Sequence, residues 1–274
     1  MNKKIGFILA LVLVSLMMVG SVSAGLFDFM GGNSNQTAND DNTFIVGFDA
    51  EFPPYGYKDD NGSYVGFDLD LAKEVCERNN WTFKAQPIDW DAKDAELESG
   101  SIDCIWNGFT IDGRENDYLW SNPYFDNKQI FVVKSDSGIK SIADLKGKTV
   151  ETQKDSSALA ALQGDNKTIA DTFATLTEVA DYNTAFMDLE SGACDAVAMD
   201  IGVAEYDIDQ KNNTDAFSIL DESITTEKYG IGFKKGNTDL KDTVQKTLDE
   251  MFKDGTVLKI AQKYGISEDA LIQG

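Results

Sequence analysis

Between Ile102 and Tyr124 the chain reads IDCIWNGFTIDGRENDYLWSNPY, and this stretch holds the residues best suited to meeting an anion. A short apolar run, Ile102 to Trp106, leads into a polar turn, Asn107-Gly108-Phe109-Thr110, and a single arginine, Arg114, follows four residues on. Backbone donors, a hydroxyl and a planar fork of N–H groups would then gather at the carboxyl end of a strand, where open α/β sheets hold their ligands. A carboxylate fits such a place. Other chemistries lack material. The chain contains no histidine, so Ser-His-Asp triads, imidazole bases and His-ligated zinc are excluded. Cys76, Cys104 and Cys194 are odd in number and form no CxxC pair, which reads as buried single thiols. No metal and no cofactor is expected.

The elements that must position these groups lie in a chain of 274 residues, enough for one large core or two moderate ones. Its 47 acidic against 24 basic residues leave a net charge of −23, and no basic patch occurs. Nucleic acid and anionic membrane surfaces are therefore not expected partners. Lys3 and Lys4, the apolar run Ile5 to Val19 and the small residues Val22-Ser23-Ala24 read as a cleaved export signal over residues 1–24, with a retained, uncleaved anchor as the alternative, and no cysteine near that point offers a lipid anchor. The expected location is the periplasm or the outer face of the cell membrane. Residues 25–42, rich in Gly, Asn and Asp, read as a flexible linker.

From Thr43 onward strand and helix patterns alternate. Phe44 to Phe48 reads as a strand, Asp68 as the cap of a helix carrying Leu71, Ala72, Val75 and Cys76, and Thr82 to Ile88 as a strand. Helix Ala92 to Ser99 and strands Ile102 to Trp106 and Gln129 to Lys134 follow, an order that predicts a mostly parallel sheet. After Lys134 the pattern restarts: a short helix from Ile142 to Gly147, strand Lys148 to Gln153, a helix opened by Ser156 and Ser157, then Tyr182 to Ser191, Asp195 to Met199 and Ile201 to Asp209. A strand at Tyr229 to Lys235 and two amphipathic helices close the chain. Taken one at a time, the candidate ligand groups have ordinary alternatives. Phe52 and Trp90 can be core aromatics, Asp49 and Asp200 can cap helices, and Arg114 can pair with Glu115 or Asp117 at the surface.

Several short motifs stand in a familiar order: Gly66-Phe67-Asp68-Leu69-Asp70-Leu71-Ala72, Trp90-Asp91, Ser99 to Asp103, Thr110 to Arg114, Ser121-Asn-Pro-Tyr124, Asp144 to Val150, Asp188 to Gly192, Asp195-Ala-Val and Tyr229-Gly-Ile-Gly. Together they resemble the extracellular solute-binding proteins of polar-amino-acid ABC importers over Thr43 to Gly265. The resemblance implies a two-lobed α/β fold of the type II periplasmic-binding-protein kind, hinged by two crossover strands. One lobe would comprise residues 43–133 with 230–274, the other residues 134–229.

The same resemblance implies roles. Arg114 would clamp the ligand α-carboxylate, helped by Thr110 and Ser157; Asp200 and the Gly108 carbonyl would take the α-ammonium. Phe52 and Trp90 would sandwich the side chain, Asp49 would read its polar end, and Gln153 lies where a side-chain-reading residue can sit. The implied function is that of a monomeric, non-enzymatic binding component, which closes around a polar L-amino acid in Venus-flytrap fashion and serves an ABC permease and its ATPase. Exported cyclohexadienyl dehydratases resemble this family too, and Glu151 is the carboxyl group that would serve such an enzyme.

Three departures stand out. The spacing from Thr110 to Arg114 is one residue shorter than the commonest pattern, with Gly113 placed to absorb the difference. Lys93 and Asp94 occupy positions that are usually apolar, and Gln153 to Ser157 replaces the usual Gly-Thr turn. The acidic set favours a cationic or neutral polar ligand over an acidic one.

Overall fold

The computed structural model describes residues 42–210 and 214–273; the expected leader, residues 1–24, and the linker up to residue 41 lie outside them. Strand β1 (Thr43–Phe48) is followed by β2 (Glu51–Phe52), β3 (Gly56–Lys58) and β4 (Tyr64–Val65), which pair antiparallel in a small sheet of their own. Helix α1 (Phe67–Asn79), β5 (Thr82–Pro87), a 3-10 turn at Trp90–Ala92, α2 (Lys93–Ser99), β6 (Cys104–Ile105) and β7 (Leu119–Trp120) come next.

The chain then builds a second sheet from β8 (Phe125–Lys134), β9 (Thr149–Gln153), α3 (Ser157–Gln163), α4 (Lys167–Ala170), β10 (Thr175–Val179), α5 (Tyr182–Ser191), β11 (Ala196–Asp200), α6 (Ile201–Asp209), β12 (Phe217–Ile219) and β13 (Thr225–Tyr229). It returns through β14 (Gly232–Phe233) and ends in α7 (Thr238–Lys253) and α8 (Thr256–Lys263).

The first sheet has the order β5-β1-β6-β14-β7, so the returning β14 inserts between β6 and β7 and pairs antiparallel with both. The second has the order β10-β9-β11-β8-β12, and β13 pairs with the first half of β8. Residues 44–48 of β1 are all buried, as befits a strand flanked by partners on both edges and covered on both faces. The closing α7 packs Val244, Leu248 and Met251 inward from one stripe, each burial contributing about 1.5–3 kcal/mol.

Two expectations are corrected. The strand expected at Gln129 begins at Phe125, because Asn127 and Gln129 alternate inward with Phe125 and Asp126 and Lys128 outward against β13. Polar inward positions hid that half of the strand. The whole of β8 therefore pairs within the second sheet, and the crossing between sheets falls at Ser121–Tyr124 rather than after residue 133. Asp68, read as a cap, lies in the first turn of α1 behind Gly66, fully buried, and its carboxylate accepts from the Gly108 N–H at 2.6 Å and the Tyr124 hydroxyl at 2.8 Å.

Candidate functional site

The loops at the carboxyl ends of β1, β6, β9 and β11 face one another across a cleft with an empty volume of about 290 Å³. Its lining includes all nine of the sequence-derived candidates, Asp49, Phe52, Trp90, Gly108, Thr110, Arg114, Gln153, Ser157 and Asp200, together with Asn107 and Ser156.

The turn after β6 shapes one wall. Gly108 adopts φ +55, and a Cβ there would lie 2.6 Å from Phe52 Cε1, so a glycine is needed for both conformation and space. Asp68 fixes this turn from behind through the Gly108 N–H, while Asn107 Oδ1 accepts the Asp49 N–H at 3.0 Å. Gly113, at φ +82, lies within a turn that Arg114 closes by donating its N–H to the Ile111 carbonyl at 2.8 Å. The guanidinium stands over the Phe109 ring at 5.4 Å and donates to the Asp155 carbonyl at 3.1 Å. Trp90 and Phe52 are at once core aromatics and cleft walls: Trp90 meets Phe109 edge-on at 5.4 Å, and Phe52 lies 6.0 Å from Tyr182.

On the opposite wall Ser156 caps α3 by accepting the Leu159 N–H at 3.1 Å, which leaves Ser157 as the first helical residue. Its hydroxyl donates to Glu227 Oε2, and the Thr110 hydroxyl donates to Glu227 Oε1 at 3.0 Å. Glu227 is thus the common acceptor for two hydroxyls of the lining. It sits on β13 in phase with Tyr229, and the inward alternation of Glu227 and Tyr229 was the sequence signal that could have found it. Asn127 and Gln129, in phase with Phe125, carried a similar signal.

Asp200 holds the position before α6 but makes no capping bond. Its Oδ1 accepts from Asn127 Nδ2 at 2.7 Å, Gln129 Nε2 at 2.6 Å and the Tyr229 hydroxyl at 2.6 Å. Burial pushes its pKa up to about 7, and the negative charge of Glu227 adds to the rise. Asp49 accepts from the Glu51 N–H at 2.8 Å and from Gln153 Nε2 at 2.5 Å, a contact that joins the two walls; burial raises its pKa to about 6. Asp181 and Glu51 add negative charge beside it. Apart from Arg114, the cleft is lined by acids and neutral groups.

Glu151 does not join them. It is buried, and its carboxyl group, raised first by burial and then by the charge of Asp188 on α5, is not among the residues lining the cleft. Lys93, the first residue of α2, is turned inward. Only 1% exposed, it pairs with Asp155 across the mouth and stands 5.3 Å over the Trp90 ring. Lys154 pairs with Asp91 beside it. Asp94 accepts the Tyr118 hydroxyl.

The family model for "Bacterial extracellular solute-binding proteins, family 3" matches residues 44–267. The L-cystine-binding protein TcyJ of Escherichia coli is 31% identical over 229 residues, 81% of this chain and 82% of that one. Among solved structures, a substrate-binding protein of an ABC uptake transporter from Streptococcus pneumoniae, with bound histidine, superposes with a TM-score of 0.79 at 34% identity. It covers 81% of this chain and 92% of its own. An ancestral arginine-binding protein bound to glutamine gives 0.74 at 40% identity, covering 81% and 97%.

Proposed function

The chain belongs to family 3 of the bacterial extracellular solute-binding proteins and has their two-lobed type II fold, and from that premise we propose that it captures a polar L-amino acid outside the cytoplasm for an ABC importer. Residues 43–124 with 230–273 would form one lobe and residues 125–229 the other. The cleft lining carries the reading: a guanidinium, a hydroxyl pair and a buried aspartate lie around one small cavity, complementary to an α-carboxylate and an α-ammonium. Arg114 clamps the carboxylate and Asp200 takes the ammonium. Phe52 and Trp90 flank the side chain, while Asp49 and Gln153 meet its polar end. The partners of the loaded protein are a membrane permease and its ATPase, and the binding protein works as an exported monomer without catalysing a reaction.

With Asp49, Glu51 and Asp181 close together at the side-chain end, a cationic or amide-bearing side chain is preferred over a carboxylate. The test is thermal unfolding of the purified protein with each of the twenty L-amino acids, cystine and ornithine. A ligand at ~100 times its Kd adds about 2.7 kcal/mol to the folded state, a rise of roughly 5–10 °C for a chain of this size. One or two polar amino acids should stand out. A flat panel, or a rise with L-glutamate alone, would overturn the assignment.

A further inference from the structure

Glu227 is used by nothing in the scheme above, yet it is 4% exposed and stands one hydrogen bond behind the lining. The amide nitrogens of Asn127 and Gln129 each donate to two oxygens at once, Asp200 Oδ1 at 2.7 and 2.6 Å and Glu227 Oε1 at 2.8 and 2.8 Å. Three strands meet here: β8 supplies both amides, β11 ends at Asp200, and β13 brings Glu227 and Tyr229. Every donor that the structure gives these two carboxyl groups is neutral: the two amides, the hydroxyls of Thr110 and Ser157, and the Tyr229 hydroxyl. Tyr55, between β2 and β3, and Tyr182, at the start of α5, lie close enough to feel the Asp200 charge, and both are neutral phenols held far above their usual range, by burial first. Arg114 is the basic residue of the lining, and its N–H groups go to the carbonyls of Thr110 and Asp155.

Two buried carboxylates bridged by the same pair of amides, with only neutral side chains donating to them, carry a large desolvation cost when both are ionised. One proton relieves it. We propose that Glu227 is a positioning residue for ammonium recognition: opposite Asp200 it keeps one proton on the carboxyl pair in the ligand-free protein, and the ligand's ammonium takes that proton's place. The exchange balances in charge. The pair with its proton is −1, and the fully ionised pair with one ammonium is also −1, so the buried site holds the same net charge before and after. The displaced proton leaves to solvent, and the Thr110 and Ser157 hydroxyls, held by Glu227, stay positioned at the cleft surface. Burial, joined by the Glu227 charge, places the Asp200 titration at about 7, so the exchange falls in the neutral range.

This inference rests on the amino-acid reading of the same cleft, and the experiment separates the two. L-Arginine, L-histidine, L-glutamine and L-cystine are each titrated calorimetrically at pH 6.5 in buffers of different ionisation enthalpy. An acid titrating at about 7 predicts release of about three-quarters of a proton per bound ligand, with affinity rising toward tenfold per pH unit below 7 and levelling above. In Glu227→Gln the release should fall below half its wild-type value and the pH profile should flatten; Glu227→Asp should restore it. Binding without proton release, or equal release in Glu227→Gln, would overturn the proposal and leave the amino-acid reading intact. Infrared spectra of the ligand-free protein provide a readout that needs no ligand. A protonated-carboxyl carbonyl band at pH 6.5 should be lost in the difference against Asp200→Asn and weakened against Glu227→Gln. If none of the four probes binds, presence or absence of that band in the difference against Asp200→Asn still decides the shared proton, while the amino-acid reading stands or falls on the full panel.

Discussion

The two ends of the cleft meet charge in opposite ways. Around Arg114 the site is half-open: the guanidinium is partly exposed, packs on the Phe109 ring and stands on a turn at the mouth. Around Asp49 and Asp200 it is dry. Both aspartates are buried to within a few per cent of full closure, are held by side-chain amides, and have pKa values raised by that burial to about 6 and about 7. A guanidinium stays charged whatever its surroundings, so it needs no special environment to hold an anion. A carboxylate in a dry place is charged only when a cation or a sufficiently high pH makes it so. The open end should therefore supply affinity that is indifferent to pH, and the dry end affinity that is conditional on it.

The comparison breaks most readily at the open end. Arg114→Ala should cost about 100-fold or more in amino-acid affinity, since a bidentate charge-assisted pair contributes several kcal/mol, while the ligand-free melting temperature changes little for a half-exposed residue. Arg114→Lys, which keeps the charge without the fork, should lose about tenfold. Calorimetric titration against the unfolding curve checks both. A loss under threefold in the alanine variant would show that the clamp lies elsewhere.

At the dry end Asp49→Asn should act by ligand class, costing about tenfold for L-arginine and under threefold for L-glutamine, because only a cation uses the charge. Its effect on stability has a definite sign. Asp49's raised pKa means that its contribution to stability is fully present below the ordinary carboxylate range and is lost as pH rises through about 6. The amide of the Asp49→Asn variant does not titrate and carries no such loss, so urea unfolding should find the variant gaining on wild type as pH rises from about 4 to about 6.5. A gain toward acid pH would sink the argument.

The smallest effect belongs to the mouth, where Lys154 pairs with Asp91 in solvent. Lys154→Ala should change affinity by about twofold or less, in line with ~0–1 kcal/mol for exposed pairs, and 0.5 M salt should remove the difference. A tenfold loss would mean that this pair, and not the cleft lining, holds the lobes together.

Much of this site was legible because its residues sit at element ends with local signatures. Asp49 follows the first strand, Gly108 and Thr110 share a turn, and Ser156 and Ser157 open a helix, so each can be located from its own neighbours. Glu227, Asn127 and Gln129 were missed for a related reason. Strand alternation puts them inward, but polar residues on an inward face lower the strand signal itself. The role considered for Glu151 failed on depth, since it shares the face of Gln153 on β9 but lies two residues before the strand's carboxyl end, outside the lining.

The sequence by itself determined most of the helices and several of the strands, the residue types at their ends, and the exclusion of imidazole chemistry. Those follow from short-range rules of spacing, turn conformation and composition. Only the tertiary structure decided that Glu227 meets Thr110 and Ser157, 117 and 70 residues away, and that Asp68 anchors Gly108 at a separation of 40. It also decided that Gln153 reaches Asp49 across the cleft. Such bonds depend on strand register and on which faces are buried together, and the same desolvation that makes each one necessary acts only once the chain has closed around it.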